Sequence, residues 1–443
     1  MSLPRYPEYK DSGVPWLGEI PAHWLIAPVK QLGKLKGGAG FPHAEQGLDA
    51  EELPFHKVNA LGRAGSDGVL WGSENNISRA TAERLGAYIF PSGALVFAKV
   101  GAALLLGRIR RLGEAACIDN NMMGLVVDDD AADVAFVSYA LNLVRFDLIA
   151  NPGAVPSLNE GQIGNFQLVL PNRAEQRAIA TFLDRETAKI DALIAEQEKL
   201  LALLAEKRQA TISHAVTRGL NPNAPMKDSG IPWLGEVPAH WEVGPLKRFW
   251  SVTDCKHLTA EFTEDGIPLA SIREVQSRFV DLSDAKRTTE GFFEQLIEGG
   301  RDPRAGDLLF SRNATVGEVA QVPSSVEKFA MGQDVCLLRR LGGAASPDYM
   351  QCVLRSPVVS EQLNALMIGS TFKRINVEQI RSLAVPFPPP GEQLEISSCL
   401  ENLLGSYESL AQGAVAAVAL LKERRSALIS AAVTGKIDVR NAA

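Results

Sequence analysis

Residues able to carry out chemistry are spread thinly along this chain of 443 residues. The six histidines are dispersed and the five cysteines form no CxxC pair, so we expect packing roles for both and predict no metal site. The densest run of carboxylates is Asp128-Asp129-Asp130, which follows the apolar run GLVV without a lysine nearby. We interpret this run as a solvated turn after a strand rather than as a nuclease centre.

Sequence motifs for cofactor or nucleophilic chemistry are missing as well. The chain has no GxGxxG after a strand, no phosphate loop and no GxSxG. The run from Asn151 to Ala154 resembles the Asn/Asp-Pro-Pro-aromatic motif of amino-methyltransferases, but it lacks the second proline and the aromatic residue. We therefore predict no catalytic residue and no bound cofactor in this chain, and we expect any chemistry to lie in another subunit.

Length and composition are those of an ordinary globular protein. Apolar residues make up 46% and charged residues 22% of the chain, and its length suits two or three domains. No apolar run is as long as a membrane span, so we predict no membrane association and a cytoplasmic location. The net charge of −7 disfavours indiscriminate binding of polyanions, but it permits a locally basic face.

An internal repeat covers the whole chain. KDSGVPWLGEIPAHW at 10–24 returns as KDSGIPWLGEVPAHW at 227–241, and the same offset places Asn159 on Asn376. Inside each copy the offset fails: LPFHKV pairs with IPLASI, and GALVFAK with GDLLFSR, only at shorter offsets. The segments that keep the offset, called here the frame, are similar in the two copies, whereas the segments between them have diverged. This contrast indicates one scaffold that recognises two different targets.

Each copy begins with a Gly- and Pro-rich part, called here head 1 and head 2. Short β-type runs such as ALVFAKV, GLVVD, DLLFSR and DVCLLRR, separated by turn signals, predict a mixed α/β domain. The tryptophans of the repeated opening motif are predicted to be packing anchors of the frame: Trp16, Trp24, Trp233 and Trp241.

A long helix is predicted to follow each head, because apolar residues alternate there at spacings of three and four. Gly405 and Gly413 weaken the pattern in the second helix. The predicted seam between the two helices consists of Ile179, Leu183, Ile190, Leu193, Leu200, Leu204, Ile396, Leu400, Leu403, Tyr407, Leu410 and Leu421. The alternative is that each helix packs separately on its own domain.

Antiparallel pairing is predicted because only a short linker separates the first helix from the second head, which leaves no chain to return along the helix. The expected fold is α+β: two mixed α/β heads in a pseudo-two-fold arrangement, separated by two long helices that form an antiparallel coiled coil. The predicted domains are head 1 (1–172), a central helix with its linker (173–226), head 2 (227–390) and a C-terminal helix (391–443).

Basic residues gather on Gly-containing loops of both heads, where a side chain could reach a phosphate or the edge of a guanine. The candidate DNA-binding residues are Lys57, Arg63, Lys99, Arg108, Arg273, Arg312, Lys373 and Arg374. For any single member, a solvated surface charge is the alternative interpretation.

The chain resembles the specificity subunits of type I restriction-modification systems. The resemblance extends over both copies in the family's order, and it rests on four stretches: KDSGVPWLGEIPAHW, GDLLFSRNATVGEVA, GSTFKRINVEQIRSLAVPFPPPGEQ and EQRAIATFLDRETAKIDALIAEQEKLLALLAEKRQATISHAVTRGL. Two departures affect head 1: Ala94 stands where head 2 has Asp307, and NPGAVPSLN stands where head 2 has GSTFKRIN.

The resemblance implies that each head is a target recognition domain that reads one half of a bipartite, asymmetric site in double-stranded DNA. It implies that the helices set the spacer and dock two methylation subunits, which use S-adenosylmethionine to methylate adenine. Restriction subunits, which act as motor and nuclease with ATP and Mg, would complete the complex. Two alternatives remain: an orphan DNA-binding or scaffold protein derived from such a subunit, and a self-contained enzyme with an unrecognised site.

Overall fold

The computed structural model describes residues 4–48, 51–65, 67–367 and 374–441. The chain divides into two units, of which unit 1 comprises Met1–Glu198 with Ala416–Ala443 and unit 2 comprises Lys199–Val415. Both long helices cross the boundary between the units. Each unit therefore contains one head together with a stretch of each helix.

Head 1 contains twelve strands among the described residues. They are β1 Tyr9–Asp11, β2 Glu19–Pro21, β3 Leu25–Pro28, β4 Gly33–Gly37, β5 Leu53–His56, β6 Val69–Leu70, β7 Asn76–Ile77, β8 Leu95–Ala98, β9 Arg110–Leu112, β10 Cys117–Ile118, β11 Met122–Val127 and β12 Gln167–Leu170. Its α-helices are α1 Arg79–Leu85, α2 Ala102–Leu105, α3 Val134–Leu141, α4 Phe146–Ile149 and α5 Glu160–Gly164, with 3-10 turns at Val29–Gln31, His43–Glu45 and Val58–Gly62. The first long helix, α6, spans Arg173–Arg218.

Head 2 repeats this succession of elements. Its strands are β13 Met226–Asp228, β14 Glu236–Pro238, β15 Glu242–Pro245, β16 Trp250–Asp254, β17 Phe262–Thr263, β18 Ile267–Ala270, β19 Arg287–Thr288, β20 Leu308–Ser311, β21 Val319–Gln321, β22 Ala330–Met331, β23 Val335–Arg340 and β24 Ala384–Phe387. Its α-helices are α7 Glu290–Ile297, α8 Pro347–Leu354, α9 Pro357–Leu366 and α10 Val377–Ser382, with a 3-10 turn at Leu246–Arg248. The second long helix, α11, spans Pro390–Val433.

The two heads share a sheet topology. In head 1 the order of the main sheet is β4-β11-β8-β9-β6, and in head 2 it is β16-β23-β20-β21. A second sheet follows the same plan in each head, since β5 pairs parallel with β10 and antiparallel with β7, as β18 does with β22 and β19. The predicted strands ALVFAKV, GLVVD, DLLFSR and DVCLLRR are confirmed as β8, β11, β20 and β23. Their central residues are buried apolar side chains, which explains why these runs read as continuous rather than alternating.

The repeated Asn-x-x-Gln sequence closes the N-terminus of a short helix in each head. Asn159 caps α5 and Asn376 caps α10, and each forms a capping box with Gln162 or Gln379. In both boxes the asparagine side chain accepts from the third backbone N–H of the helix, while the glutamine accepts from the N–H of the cap residue. This shared local geometry accounts for the identity of these residues in the two copies.

The long helices pair with each other, and they run antiparallel. In unit 1, Asp191 accepts hydrogen bonds from Arg425 at 2.8 Å, and Glu198 lies 3.8 Å from Lys422, so one helix advances as the other recedes. In unit 2, the hydroxyls of Thr211 and Tyr407 lie 3.4 Å apart. The predicted antiparallel coiled coil is confirmed, and the alternative of separately packed helices is wrong. α11 also continues through both glycines that weakened its pattern.

Part of the predicted seam faces solvent instead. Ile179, Leu183, Ile190, Leu204, Ile396 and Leu400 are buried, and Tyr407 and Leu421 are half-buried. The prediction is wrong for Leu193, Leu200, Leu403 and Leu410, which are exposed. Adjacent apolar pairs such as Leu200-Leu201 and Leu403-Leu404 offer the helix two possible faces, and the pairing uses the second leucine of each pair.

Within the described residues, α11 is the one helix whose length and apolar composition would suffice to cross a membrane. This is weak support for a membrane span, since the test rests on length and composition alone. Only 6% of its most apolar window is buried inside the protein. The helix therefore presents apolar side chains that its own fold leaves uncovered.

Candidate nucleic-acid interface

The repeated opening motif attaches each head to the start of the long helix that follows it. His23 Nε2 lies 2.9 Å from Glu175 Oε1 in unit 1, and His240 Nε2 lies 2.8 Å from Glu392 Oε2 in unit 2. The indole N–H of Trp241 also donates to Glu392, at 2.9 Å. A carboxylate at the first turn of each long helix, buried in Glu175 and half-buried in Glu392, thus receives side chains from the motif.

A glutamine beside each of these carboxylates makes a second repeated attachment. Gln176 donates to Pro171 O at 2.7 Å and accepts from the N–H of Asp133, the cap of α3. Gln393 donates to Pro388 O at 2.8 Å and accepts from the N–H of Ser346, the cap of α8. The shared pair Glu-Gln therefore fixes two surfaces of each head to its helix.

The four predicted frame anchors fall into two kinds. Trp24 and Trp241 are buried in the cores that join head and helices, whereas Trp16 and Trp233 are 40% and 39% exposed. The ring of Trp16 stacks on Phe166, with centroids 5.4 Å apart. The packing interpretation thus fits the second tryptophan of each motif best.

Two of the predicted DNA-binding residues of head 1 bracket one 3-10 turn, and a third lies beside it. Lys57 precedes Val58–Gly62 and Arg63 follows it. Arg108 lies beside Gly62, since its Nη1 is 2.9 Å from the position of a Cβ atom there. Arg110, next to Arg108 on the chain, donates to the carbonyl of Leu61 at 3.0 Å. The fold thus gathers cations that are 51 residues apart in sequence on one loop.

Lys57 and the fourth candidate, Lys99, lie near Asp119. This carboxylate is buried, and burial raises its pKa, while the two backbone N–H groups it accepts and the two lysines act in the opposite direction. Its side chain accepts from Asn121 at 2.8 Å and from Val58 at 3.4 Å, so it fixes the start of the 3-10 turn. Asp119 thereby supports the basic loop from beneath.

Head 2 does not present its predicted cations as one surface. Arg273 is exposed beside Glu274, and Arg374, which is 58% exposed, lies 4.0 Å from Asp334. Lys373 lies outside the described residues. The side chain of Arg312 is only 4% exposed and lies 3.1 Å from Asp254 Oδ1. The prediction that Arg312 contacts DNA is therefore wrong, because a buried guanidinium paired with a carboxylate holds together the strand ends around it.

The difference between Ala94 in head 1 and Asp307 at the equivalent position of head 2 also has a structural explanation. Asp307 is buried, and Arg339 on the neighbouring strand donates to it at 2.7 Å. The strand registers place Ala94 and Val126 at the corresponding positions of head 1, where both belong to an apolar cluster. Head 1 thus replaces a charged pair with an apolar pair, and the change concerns packing rather than recognition.

One group of possible metal ligands occurs among the described residues, namely Asp254, Cys255 and His257. Arg312 already neutralises the carboxylate of Asp254. Burial, followed by the charge of Asp254, raises the pKa of the Cys255 thiol, which disfavours the thiolate that a metal would bind. The chemistry of this group favours an ion pair.

The structure thus has two heads of similar topology, and the long helix after each head pairs antiparallel with the other. Residues 256–413 match the family model described as the type I restriction modification DNA specificity domain. This match, to head 2 and the first part of α11, confirms the predicted resemblance to the specificity subunits of type I restriction-modification systems.

Curated relatives show the same resemblance over most of the chain. The chain is 23% identical to the specificity subunit of the type I restriction enzyme EcoKI from Escherichia coli K12, covering 96% of this chain and 91% of that protein. It is 22% identical to the MjaVIII specificity subunit from Methanocaldococcus jannaschii, covering 74% of this chain and 76% of that protein.

Two solved structures share the fold. One comes from work on complex assembly and conformational transition of the type I restriction-modification system; its TM-score is 0.64 at 16% identity, covering 94% of this chain and 98% of that chain. The HsdS subunit from Thermoanaerobacter tengcongensis has a TM-score of 0.53 at 15% identity, with the same coverage of both chains. These likenesses concern the architecture alone.

Proposed function

We propose that this chain is the DNA-specificity subunit of a type I restriction-modification complex, in which each head reads one half of a bipartite, asymmetric site. The paired helices set the spacer between the halves and dock two methylation subunits. In this role the chain directs adenine methylation or restriction and is not itself catalytic. It acts as a soluble DNA-binding protein, and we place it in the cytoplasm.

The observation that carries the proposal is the division between kept contacts and changed loops. The His–Glu, Gln–backbone and capping-box contacts recur in both copies with the same atoms. The corresponding connections in the second sheets, by contrast, differ: β5 to β7 in head 1 reads KVNALGRAGSDGVLWGSEN, and β18 to β19 in head 2 reads SIREVQSRFVDLSDAK. This division is expected if the repeated contacts serve assembly of the subunit and the two different loops bind different targets.

Exposed leucines on the helices support the docking of partner subunits. Leu193 and Leu410 are 52% and 57% exposed, and they occupy the same position of the repeat, 217 residues apart. Leu200 follows Leu193 by one heptad, and Leu403 precedes Leu410 by one heptad, so each helix carries an uncovered apolar row. The equivalent positions of Leu193 and Leu410 favour two copies of one partner, and the exposed leucines favour this function over that of an orphan DNA-binding protein.

The chemistry is assigned to the partners. S-adenosylmethionine would be held by the methylation subunits, and ATP and Mg by the restriction subunits. This chain contributes position: tying two heads rigidly together raises the effective concentration of the second head once the first is bound, and it rejects sites with the wrong spacer.

A head exchange tests the proposal. Residues 25–172 are replaced by the corresponding residues of another specificity subunit, and the methylated sites of the host are then sequenced. We expect one half of the site to change while the other half and the spacer persist. A change in both halves would refute the two-head assignment, and a chain that fails to retain methylation subunits in pull-down would support the orphan alternative instead.

A further inference from the structure

Head 1 contains a cleft of about 480 Å³ that the repeat does not predict. It lies at the connection from β5 to β7, and its lining includes His56, Lys57, Asn59, Arg63, Trp71 and Glu74. Lys57 and Arg63 are two of the residues that the sequence predicts to bind DNA. The cleft is therefore formed by a loop whose sequence differs between the two heads.

A neutral imidazole contributes to the cleft. His56 ends β5 and is only 1% exposed. Burial lowers the pKa of this imidazole below its ordinary value, with Glu114 opposing the shift. Its Nε2 atom is buried and has no hydrogen-bond partner within the part of the chain that the structure describes. An unpaired buried polar atom is costly, so its presence at the cleft calls for an explanation other than the stability of the fold.

An open indole forms another part of the lining. Trp71 is 67% exposed, although tryptophan normally buries most of its ring. A Cβ atom on Gly113 would lie 2.5 Å from two ring carbons of Trp71, so the indole rests directly on the backbone of this glycine. The rest of the ring is left as a flat apolar surface toward solvent.

Polar and charged groups complete the lining. The Asn59 side chain is exposed, and no hydrogen bond holds it among the described residues. Arg63 Nη1 lies 2.5 Å from Glu74 Oε1, in an exposed ion pair that contributes little to stability. Lys57 Nζ lies 2.9 Å from Gln46 Oε1. The site thus offers a free amide, two cations and a flat ring within one open cleft.

Head 2 supplies the internal comparison. Its second sheet keeps the three equivalent strands β22, β18 and β19 and adds β17. Ala270 stands where β5 ends in His56, and the loop after it contains neither a tryptophan nor an asparagine. The cleft residues therefore belong to head 1 alone, as expected for a specificity element.

We propose that this cleft receives the edge of one base pair and a neighbouring phosphate of double-stranded DNA, and that it sets part of the half-site read by head 1. Asn59 contacts the base edge, since an amide both donates and accepts there. Lys57 and Arg63 contact the phosphate, and Trp71 packs against a thymine methyl group or a sugar. This inference rests on the proposed function and names the residues through which one head exercises it.

The test uses the full chain, within its methylation complex, in host cells whose methylated sites are sequenced. Asn59→Asp keeps the size of the side chain but removes its donor, and Trp71→Ala removes the flat ring. We expect each variant to weaken discrimination at one or two base pairs of a single half-site by about ten- to a hundred-fold, with the other half-site unchanged.

A pair of arginine variants separates phosphate contact from surface charge. Arg63 and Arg79 are 60% and 63% exposed, and each lies beside a glutamate. Arg63→Met should weaken binding of the complex to a duplex carrying the site and reduce the slope of log K against log salt by about one, without altering the preferred bases. Arg79→Met is the matched control and should leave both quantities unchanged.

The outcomes distinguish failure of the cleft assignment from failure of the proposed function. If wild-type cells contain no methylated bipartite site, the proposed function fails. If they contain one and both cleft variants, verified as folded by circular dichroism, leave its bases and methylated fraction intact, the cleft assignment is refuted while the function stands. Equal loss in the Arg63→Met and Arg79→Met complexes would refute the phosphate contact.

Discussion

His23 and Glu175 are joined by a hydrogen bond of 2.9 Å, and the same bond of 2.8 Å joins His240 to Glu392. In both pairs the partners are 152 residues apart, and the pairs themselves are related by the repeat offset of 217. Each bond connects the start of a head to the first turn of its long helix. The histidines of the repeated motif thus hold the frame together, which explains why they did not diverge.

Glu175→Gln tests this attachment. The Glu175 side chain is 5% exposed and also lies 3.5 Å from Arg440, so loss of its charge should destabilise unit 1 by about 1–3 kcal/mol. Hydrogen exchange of peptides from the opening motif measures the effect. His43→Ala, at an exposed position, is the control that should not change exchange there. A variant that exchanges like wild type would remove the structural role assigned to the pair.

Leu193→Glu and Leu410→Glu test the apolar rows on the helices. A carboxylate in a desolvated helix interface is strongly unfavourable, so each variant should lose one methylation subunit, and the double variant should lose both. Native mass spectrometry of the complex counts the partners. Leu148→Glu, at a leucine of head 1 that is 74% exposed, should retain two. Full occupancy in the double variant would place the partner surface elsewhere.

His56 predicts a pH dependence for head 1. Since the folded pKa of this histidine lies below its ordinary value of 6.5, the unfolded chain binds a proton that the folded head does not bind. The stability of head 1 should be unaffected by this group above about pH 6.5 and should decrease as the pH falls below it. The pKa of Asp119 is raised, so this carboxyl has the opposite effect and favours the folded head as the pH falls.

Hydrogen exchange of the β5 to β7 peptide, corrected for the intrinsic pH dependence of exchange, measures this loss between pH 8 and 5.5. His56→Asn should flatten the profile. The corresponding peptide of head 2, where Ala270 replaces the histidine, is an internal control and should show no such decrease. An equal decrease in both heads would assign the effect to other groups.

Substitution by alanine should change the free energy of unfolding in opposite directions at two glycines, Gly405 inside α11 and Gly435 just after it. Gly435 has a φ of +73°, and a Cβ atom there would lie 2.4 Å from Pro21 Cδ, so Gly435→Ala should destabilise unit 1 by more than about 1 kcal/mol. Gly405 lies inside the helix with nothing within 4 Å of its Cβ position, so Gly405→Ala should stabilise by about 0.5–1 kcal/mol. Calorimetry of both variants provides the comparison, and equal effects would contradict it.

The pair of Asp307 and Arg339 should behave non-additively. Arg339→Val alone leaves a buried carboxylate without its partner and should cost about 3–5 kcal/mol. The double variant Asp307→Ala with Arg339→Val recreates the pair of Ala94 and Val126 found in head 1, and it should cost much less. A double-mutant cycle measured by chemical denaturation gives the coupling, and simple additivity would argue against the exchange of pairs.

The repeat made much of the architecture predictable. Identical stretches such as Glu175-Gln176 and Glu392-Gln393 indicated shared contacts, and the continuous apolar runs identified the central strands. The phase of the helix pair was less accessible, because adjacent leucines satisfy two seams equally well in sequence. The choice between them depends on which face the partner helix covers, and the spacing of apolar residues within one helix does not show which face that is.

The recognition surface was predicted only in part. Lys57 and Arg63 could be identified from charge and from their glycine-containing loop, whereas the burial of Arg312 depends on its pairing with Asp254 across two strands. Trp71 and Asn59 were missed altogether. A lone tryptophan beside glycine in a polar loop was the available signal, and its exposure became informative only through the packing of its ring on Gly113.

The two ends of the chain meet inside unit 1. Tyr9 Oη donates to Gly435 O at 2.9 Å, and the N–H of Asp438 donates to Pro4 O at 2.8 Å. Pro4 and Asp438 are therefore close enough for a short linker to join the segments that contain them. A gene that opens the chain at the linker after α6 and joins these two segments should therefore encode a protein in which both heads keep their fold.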